Sequence, residues 1–296
     1  MQKNNVVTVT IEDIGVNGEG IGKVDGYTLF IKDAMIGDVI EAKVMKAKKH
    51  YGYARLQKIL TSSEARVKTP ACPMARKCGG CQIQEMKYSA QLAFKEGKVC
   101  GNLERIGGAE LLDEIMEPVV GMERGETAEV AAAADTEKAG AADYQPFCYR
   151  NKAQFPIGTD KEGHVIAGFY AGRTHHIVEQ TDCCIGAPEN GEVLRKVKAY
   201  MQKNQIRPYN EEHHSGIVRH ILIRTGYHTK EIMVCLIVNA AKASCLKNAE
   251  QLTESLREMD GMTSVMVNFN TEKTNVILGK KSEVLWGQPY IEDFIG

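Results

Sequence analysis

Along residues 6–61 the chain alternates between apolar and polar positions. Val7, Val9 and Ile11 fall on one side of a segment whose other side is polar, the period of a half-buried strand. Tyr27 to Ile31, Val39 to Met45 and Tyr53 to Ile59 read as further strands, and Gly15, Gly18, Gly20 and Gly22 punctuate the first turn and the next strand. About five short strands in roughly 60 residues predict a small all-β barrel of the oligonucleotide-binding type. After residue 81 the period lengthens. Leu92, Val99, Leu103 and Ile106 fall on one helical face, and Gly107-Gly108 ends the helix. Residues 109–147 lose the pattern: ten acidic residues face only Arg124 and Lys138 around the run Ala131 to Ala134, which predicts a mobile acidic linker.

From Phe147 strands and helices interleave. Tyr149 to Ile157 and His164 to Tyr170 predict a hairpin. Pro188 to Lys203 and Leu246 to Met259 predict helices. Ile217 to Tyr227, Glu231 to Val238, Met262 to Asn268 and Val276 to Leu278 predict strands. The whole reads as α+β: a barrel at 1–62, a cysteine-rich segment and helix at 63–108, the linker at 109–147 and a central α/β domain at 148–296.

Charge narrows the chemistry. The 296 residues carry a net charge of −1, so a nucleic-acid surface has to be a local patch. Lys43, Lys46, Lys48, Lys49, Arg55 and Lys58 fall in one run without an acidic residue, interleaved with His50, Tyr51 and Tyr53. Cations track phosphates and aromatic faces stack on unpaired bases; a lysine-protected strand edge is the plainer reading. Arg150 and Lys152, at the start of a predicted strand, are candidates for a second RNA contact or for a solvated edge. The Gly-Glu-Gly-Ile-Gly run at 18–22 precedes a strand rather than a helix, which rejects a dinucleotide fingerprint. The start shows no signal-peptide pattern and the longest apolar run, Ile232 to Val238, is strand-length. Together with reduced cysteines this predicts a cytoplasmic monomer with no membrane span.

Three thiols, Cys72, Cys78 and Cys81, fall within ten residues, with Gly79 and Gly80 between the last two. Thiolates this close are ligands of a metal or cluster. A fourth ligand has to come from Cys100, Cys148, Cys183, Cys184, Cys235 or Cys245. Spacing leaves an iron–sulfur cluster, zinc and plain redox or structural cysteines open. The pairs His175–His176 and His213–His214 read as surface residues.

Cys72-Pro73, Cys78-Gly79-Gly80-Cys81-Gln82 and Tyr149-Arg150-Asn151-Lys152 together resemble the iron–sulfur RNA uracil-5-methyltransferases, whose closest members methylate 23S ribosomal RNA. Gly168-Phe169-Tyr170, Cys183 with Ile185, Ala187 and Pro188, Arg219-His220-Ile221 and the stretch Asn275 to Gly279 extend the resemblance over almost the whole chain except 109–147. It implies a TRAM barrel that binds RNA, and a 4Fe–4S cluster on Cys72, Cys78, Cys81 and Cys183. It also implies S-adenosylmethionine-dependent methylation of uridine C5, in which a cysteine thiolate adds to C6, C5 takes the methyl group and a base removes the C5 proton. The family carries those parts in a Rossmann-like domain with a glycine-rich cofactor loop. No such loop and no candidate nucleophile stand out here. The expectation is therefore that this domain is absent, that the chain is the RNA-binding and cluster portion, and that it is inactive by itself. The rival is a stand-alone iron–sulfur RNA-binding protein.

Overall fold

The computed structural model describes residues 1–68, 70–122 and 146–295. They form two compact units, Met1–Arg76 with Cys81–Pro146 and Lys77–Gly80 with Phe147–Gly296.

In the first unit β1 (Val6–Ile14), β2 (Gly20–Val24), β3 (Tyr27–Lys32), β4 (Val39–Ala47) and β5 (Tyr51–Thr61) close into a barrel in the order β1-β2-β3-β5-β4. β3 and β5 run parallel and the other pairs antiparallel. The alternating residues Val9, Ile11, Leu29, Ile31, Ile40, Ala42 and Val44 fill the interior, and full burial of each large one contributes roughly 1.5–3 kcal/mol. Gly22 serves this closure: a Cβ there would lie 2.4 Å from the Thr10 carbonyl oxygen. The glycine run thus lets β1 and β2 approach.

Asp38, fully buried, ties the barrel to the chain that follows. Its carboxylate accepts the N–H groups of Met35 and Ser63, each at 2.9 Å, and the Arg66 guanidinium at 2.5 Å through Nη2. Arg66 also reaches the Asp33 carbonyl at 3.0 Å and pairs with Glu85, which in turn holds Arg76 at 2.6 and 2.7 Å. A charge this deep is tolerated only when its oxygens and protons are all engaged.

α1 (Tyr88–Arg105) corrects the expected apolar face. Ala90 and Phe94 pack on a small cluster of Ile14, Met35 and Met86. Val99, Leu103 and Ile106 are instead 46 %, 39 % and 83 % exposed. Their helical phase was readable, but among the described residues the fold supplies no partner surface for the later turns. Within 109–147, Leu112–Ile115 forms a short helix, α2. Arg124, Lys138 and the alanine run lie outside the described residues.

The second unit is a seven-stranded sheet ordered β12-β11-β10-β9-β6-β7-β8. Its strands are β6 (Lys152–Thr159), β7 (Val165–Tyr170), β8 (Ile177–Glu179), β9 (Val218–Thr225), β10 (Ile232–Val238), β11 (Met262–Phe269) and β12 (Lys281–Gly287). α3 (Asn190–Lys203) and α4 (Ala249–Arg257) bury Val193, Leu194, Val197, Met201, Leu252 and Leu256 in the same core as Phe155, Ile221, Val234, Leu236, Val265 and Val267. β10 and β11 are parallel, and α4 lies in the crossover between them, as a parallel pair requires.

The strand expected at Val276 to Leu278 is also corrected. Asn270 donates its amide to the Val276 and Ile277 carbonyls at 2.7 and 2.9 Å, and Gly279 N–H donates to the Asn268 side chain at 2.7 Å. Side chains take these backbone groups, and the pairing strand begins at Lys281. No described helix is long and apolar enough to cross a membrane.

Candidate nucleic-acid interface and cysteine segment

On the barrel, the registers of β3, β5 and β4 assemble two outward rows. Phe30 lies opposite Tyr53, and Tyr53 opposite Lys46; Lys32 lies opposite Arg55, and Arg55 opposite Lys43. Phe30, Tyr51 and Tyr53 form a triangle of rings with centroids 5.7–5.9 Å apart. Tyr51 and Tyr53 are 39 % and 36 % exposed. The Tyr27 hydroxyl lies 2.8 Å from the Lys48 carbonyl, reaches that of Tyr51, and accepts Lys48 N–H at 3.0 Å. That contact holds the turn that presents Lys48, Lys49 and His50. Lys46, Lys48 and Lys49 are exposed and Lys43 half-buried. Aromatic faces bordered by cations suit unpaired bases and their phosphates. Phe30 and Lys32 were not among the expected residues; outward alternation on β3 was their signal, but only the parallel β3–β5 pairing puts them beside Tyr53 and Arg55.

The cysteines divide between the units: Cys72 and Cys81 belong to the first, Cys78 and Cys183 to the second. All four are half-buried. Cys78 Sγ accepts the Gly80 N–H at 3.3 Å, a bond that favours a thiolate ligand. Gly79 N–H donates to the Tyr170 carbonyl at 2.9 Å, and a Cβ on Gly79 would lie 2.8 Å from that oxygen. Glycine is required there for close backbone approach. Near Cys183, a turn closes from Gly186 N–H to the Cys183 carbonyl at 2.9 Å, and Cys148 N–H donates to the Cys184 carbonyl at 2.9 Å. Soft sulfur donors are the ligands that a thiophilic metal or cluster takes.

The remaining thiols divide less evenly. Burial pushes the Cys235 thiol up to about 12 and raises that of Cys245. Burial, then Glu189 and Cys183, raises that of Cys148. These three stay protonated and weakly nucleophilic. Cys100 lies on α1 and is half-buried.

Among the described residues, Asp160, Glu162 and His164 are one group whose potential ligand atoms come within 4.8 Å of each other. Asp160 accepts the N–H groups of Glu162 and His164 at 2.9 and 2.8 Å, so the group reads as a capped hairpin turn.

On the central sheet, Lys152 is exposed at the start of β6, and Arg150 donates its backbone N–H to the Ile185 carbonyl at 2.8 Å. Of the histidine pairs, His175 bonds Glu211, and His214 lies 2.7 Å from the Tyr209 hydroxyl. The neighbouring Arg219 is buried. It donates to the carbonyls of Asn270 and Glu272 at 2.8 Å and of Thr274 at 3.2 Å, and stacks 4.6 Å over Tyr209.

Burial, helped by Arg219 and opposed by Glu211, lowers His220 from 6.5 to about 4. Its folded value lies below its unfolded one, so its neutral ring is fully compatible with the fold above about 6.5. As pH falls from there toward 4 the unfolded chain takes up a proton that the folded unit refuses. The second unit is expected to lose stability across that window. Urea midpoints from about pH 7 to about pH 4 check this, and His220→Asn should flatten the dependence.

Residues 2–56 match the TRAM domain family. A relative from Halalkalibacterium halodurans, named as an uncharacterized RNA methyltransferase, is 41 % identical over 100 % of this chain and 59 % of its own length. One of the same description from Clostridium tetani is 38 % identical over 100 % of this chain and 58 % of its own. The chain thus spans under two thirds of the curated relatives it matches. The crystal structure of the Pyrococcus abyssi tRNA (uracil-54, C5)-methyltransferase, in complex with S-adenosyl-L-homocysteine, aligns with 97 % of this chain and 57 % of that one. Its TM-score is 0.64 and its identity 23 %, a likeness of fold. The expectation of a chain lacking its methyltransferase domain is corrected by these alignments. Relatives named as RNA methyltransferases match it along its whole length, and 97 % of it follows the methyltransferase fold, so hardly any of the chain stands outside that architecture.

Proposed function

We propose that this chain contributes the RNA contacts and an iron–sulfur centre to an S-adenosylmethionine-dependent RNA (uracil-5-)-methyltransferase acting on 23S ribosomal RNA in the cytoplasm. The observation that carries the reading is the triangle of half-buried Phe30 with exposed Tyr51 and Tyr53, bordered by Lys43, Lys46, Lys48 and Lys49, on a barrel that matches the TRAM family. Rings and cations in adjoining rows can hold a base and its phosphates together. Arg150 and Lys152 are assigned to the same RNA. Cys72, Cys78, Cys81 and Cys183 would hold a 4Fe–4S cluster, which supplies a cross-link between distant parts of the chain. This chain's own residues bind and orient the RNA.

Deleting the encoding gene and measuring modified nucleosides by mass spectrometry tests the function. Loss of a 5-methyluridine from 23S ribosomal RNA supports it. Loss from transfer RNA alone moves the target, and no loss from either rejects the activity. Iron and labile sulfide analysis of anaerobically purified protein tests the centre. Cys183→Ser is expected to lose the cluster and its colour, and Cys184→Ser to keep both. The reverse result moves the ligand by one residue, and zinc without sulfide rejects the cluster.

A further inference from the structure

Lys152 and Arg224 lie directly opposite each other on the neighbouring antiparallel strands β6 and β9. Both side chains are exposed. Among the described residues neither makes an ion pair or a side-chain hydrogen bond. Across β9 from Arg224 stands Met233, an apolar residue 9 % exposed, so that neighbour offers no carboxylate. Like charges placed opposite one another on adjacent strands repel, and sequences ordinarily put a carboxylate or a neutral partner in one of the two places. Arg150, two positions before Lys152, adds a third cation whose backbone is fixed by its bond to Ile185. Lys230 follows in the β9–β10 turn, its ammonium 5.0 Å from the ring of Tyr227, which is 63 % exposed. Of the carboxylates at this turn, Asp293 accepts the Tyr227 and His228 N–H groups at 2.6 and 2.9 Å, and Glu231 accepts the Glu292 N–H at 2.8 Å.

We infer that Lys152 and Arg224 form a cross-strand clamp for a backbone phosphate of single-stranded RNA. The inference rests on the RNA reading above and adds Arg224 to it. A phosphate between the two cations turns a repulsion into two charge-assisted contacts. Both side chains are exposed, and two solvated cations hold a small free anion weakly. A phosphodiester chain can engage Arg150, Lys152 and Arg224 in succession and gain from their proximity.

The test is binding of a short uridine-rich single-stranded RNA to the full chain across a salt series, for the native protein, Lys152→Gln, Arg224→Gln, the double variant and Arg224→Lys. Each lost cation is expected to make the slope of log affinity against log salt shallower by about 0.7, and Arg224→Lys to keep it. The unbound single variants should melt no lower than the native protein, because each removes a repulsion. If the native chain binds RNA and both glutamine variants keep the native slope, the clamp is overturned while the RNA reading stands. If the native chain binds no RNA, both fall. If the variants lose heparin binding but bind RNA normally, the pair serves another polyanion and the inference is also overturned.

Discussion

Asp38→Ala is expected to destabilise the first unit by about 3–5 kcal/mol, the usual cost of stranding one partner of a buried ion pair. Asp38 is fully buried and Arg66 is 8 % exposed. Without the carboxylate, the N–H groups of Met35 and Ser63 lose their acceptor, and the guanidinium loses its contacts through Nε and Nη2. Glu85 and the Asp33 carbonyl still hold Arg66, which places the loss toward the lower end of the range. Such a loss is a large fraction of a small domain's total of roughly 5–15 kcal/mol. Amide hydrogen exchange on β1 and β4 measures it in the barrel itself. Asp38→Asn keeps one of the two acceptor oxygens but turns an NH2 donor toward N–H groups at the other, so it should recover only part of the loss. A loss below about 1 kcal/mol for the alanine variant would show that Glu85 and the Asp33 carbonyl suffice for Arg66.

Phe30→Ala combined with Tyr53→Ala is expected to weaken single-stranded RNA binding by about 2–6 kcal/mol, since a stacked base contributes about 1–3 kcal/mol per aromatic removed. The salt slope should hardly change, because no charge is lost. Replacing Lys46, Lys48 and Lys49 by glutamine should do the opposite, flattening the slope by up to about 2 when all three touch phosphates. The two sets therefore separate stacking from charge in one fluorescence-anisotropy series. Native affinity in the aromatic variant, with the barrel's hydrogen exchange intact, would return the triangle to a simple surface cluster. Native slope in the lysine variant would return that run to a solvated strand edge.

Much of the local structure was written in nearest-neighbour pattern. Val9 and Ile11 alternate with polar residues because one face of β1 is buried, and Val193, Val197 and Met201 repeat at helical spacing because one face of α3 is buried. Composition and motif spacing placed the cationic run and the close thiols with no knowledge of the fold. The Val276 to Leu278 error has a physical cause: three apolar residues resemble a strand until the Asn270 side chain takes their carbonyls. The α1 face failed for a related reason. Periodicity says that residues share a face, and only packing says whether anything covers it.

The sequence by itself determined the barrel strands, most central strands other than β8 and β12, the main helices, the candidate RNA cations and the cysteine spacing, because each depends on residues close together in the chain. The tertiary structure decided the rest. It made the β3–β5 pairing that sets Phe30 beside Tyr53 and the register that sets Arg224 against Lys152. It also made the Asp38–Arg66 pair, whose members are separated by 28 positions. Those contacts depend on which distant segments meet. Burial and strand register, rather than local propensity, fix that meeting.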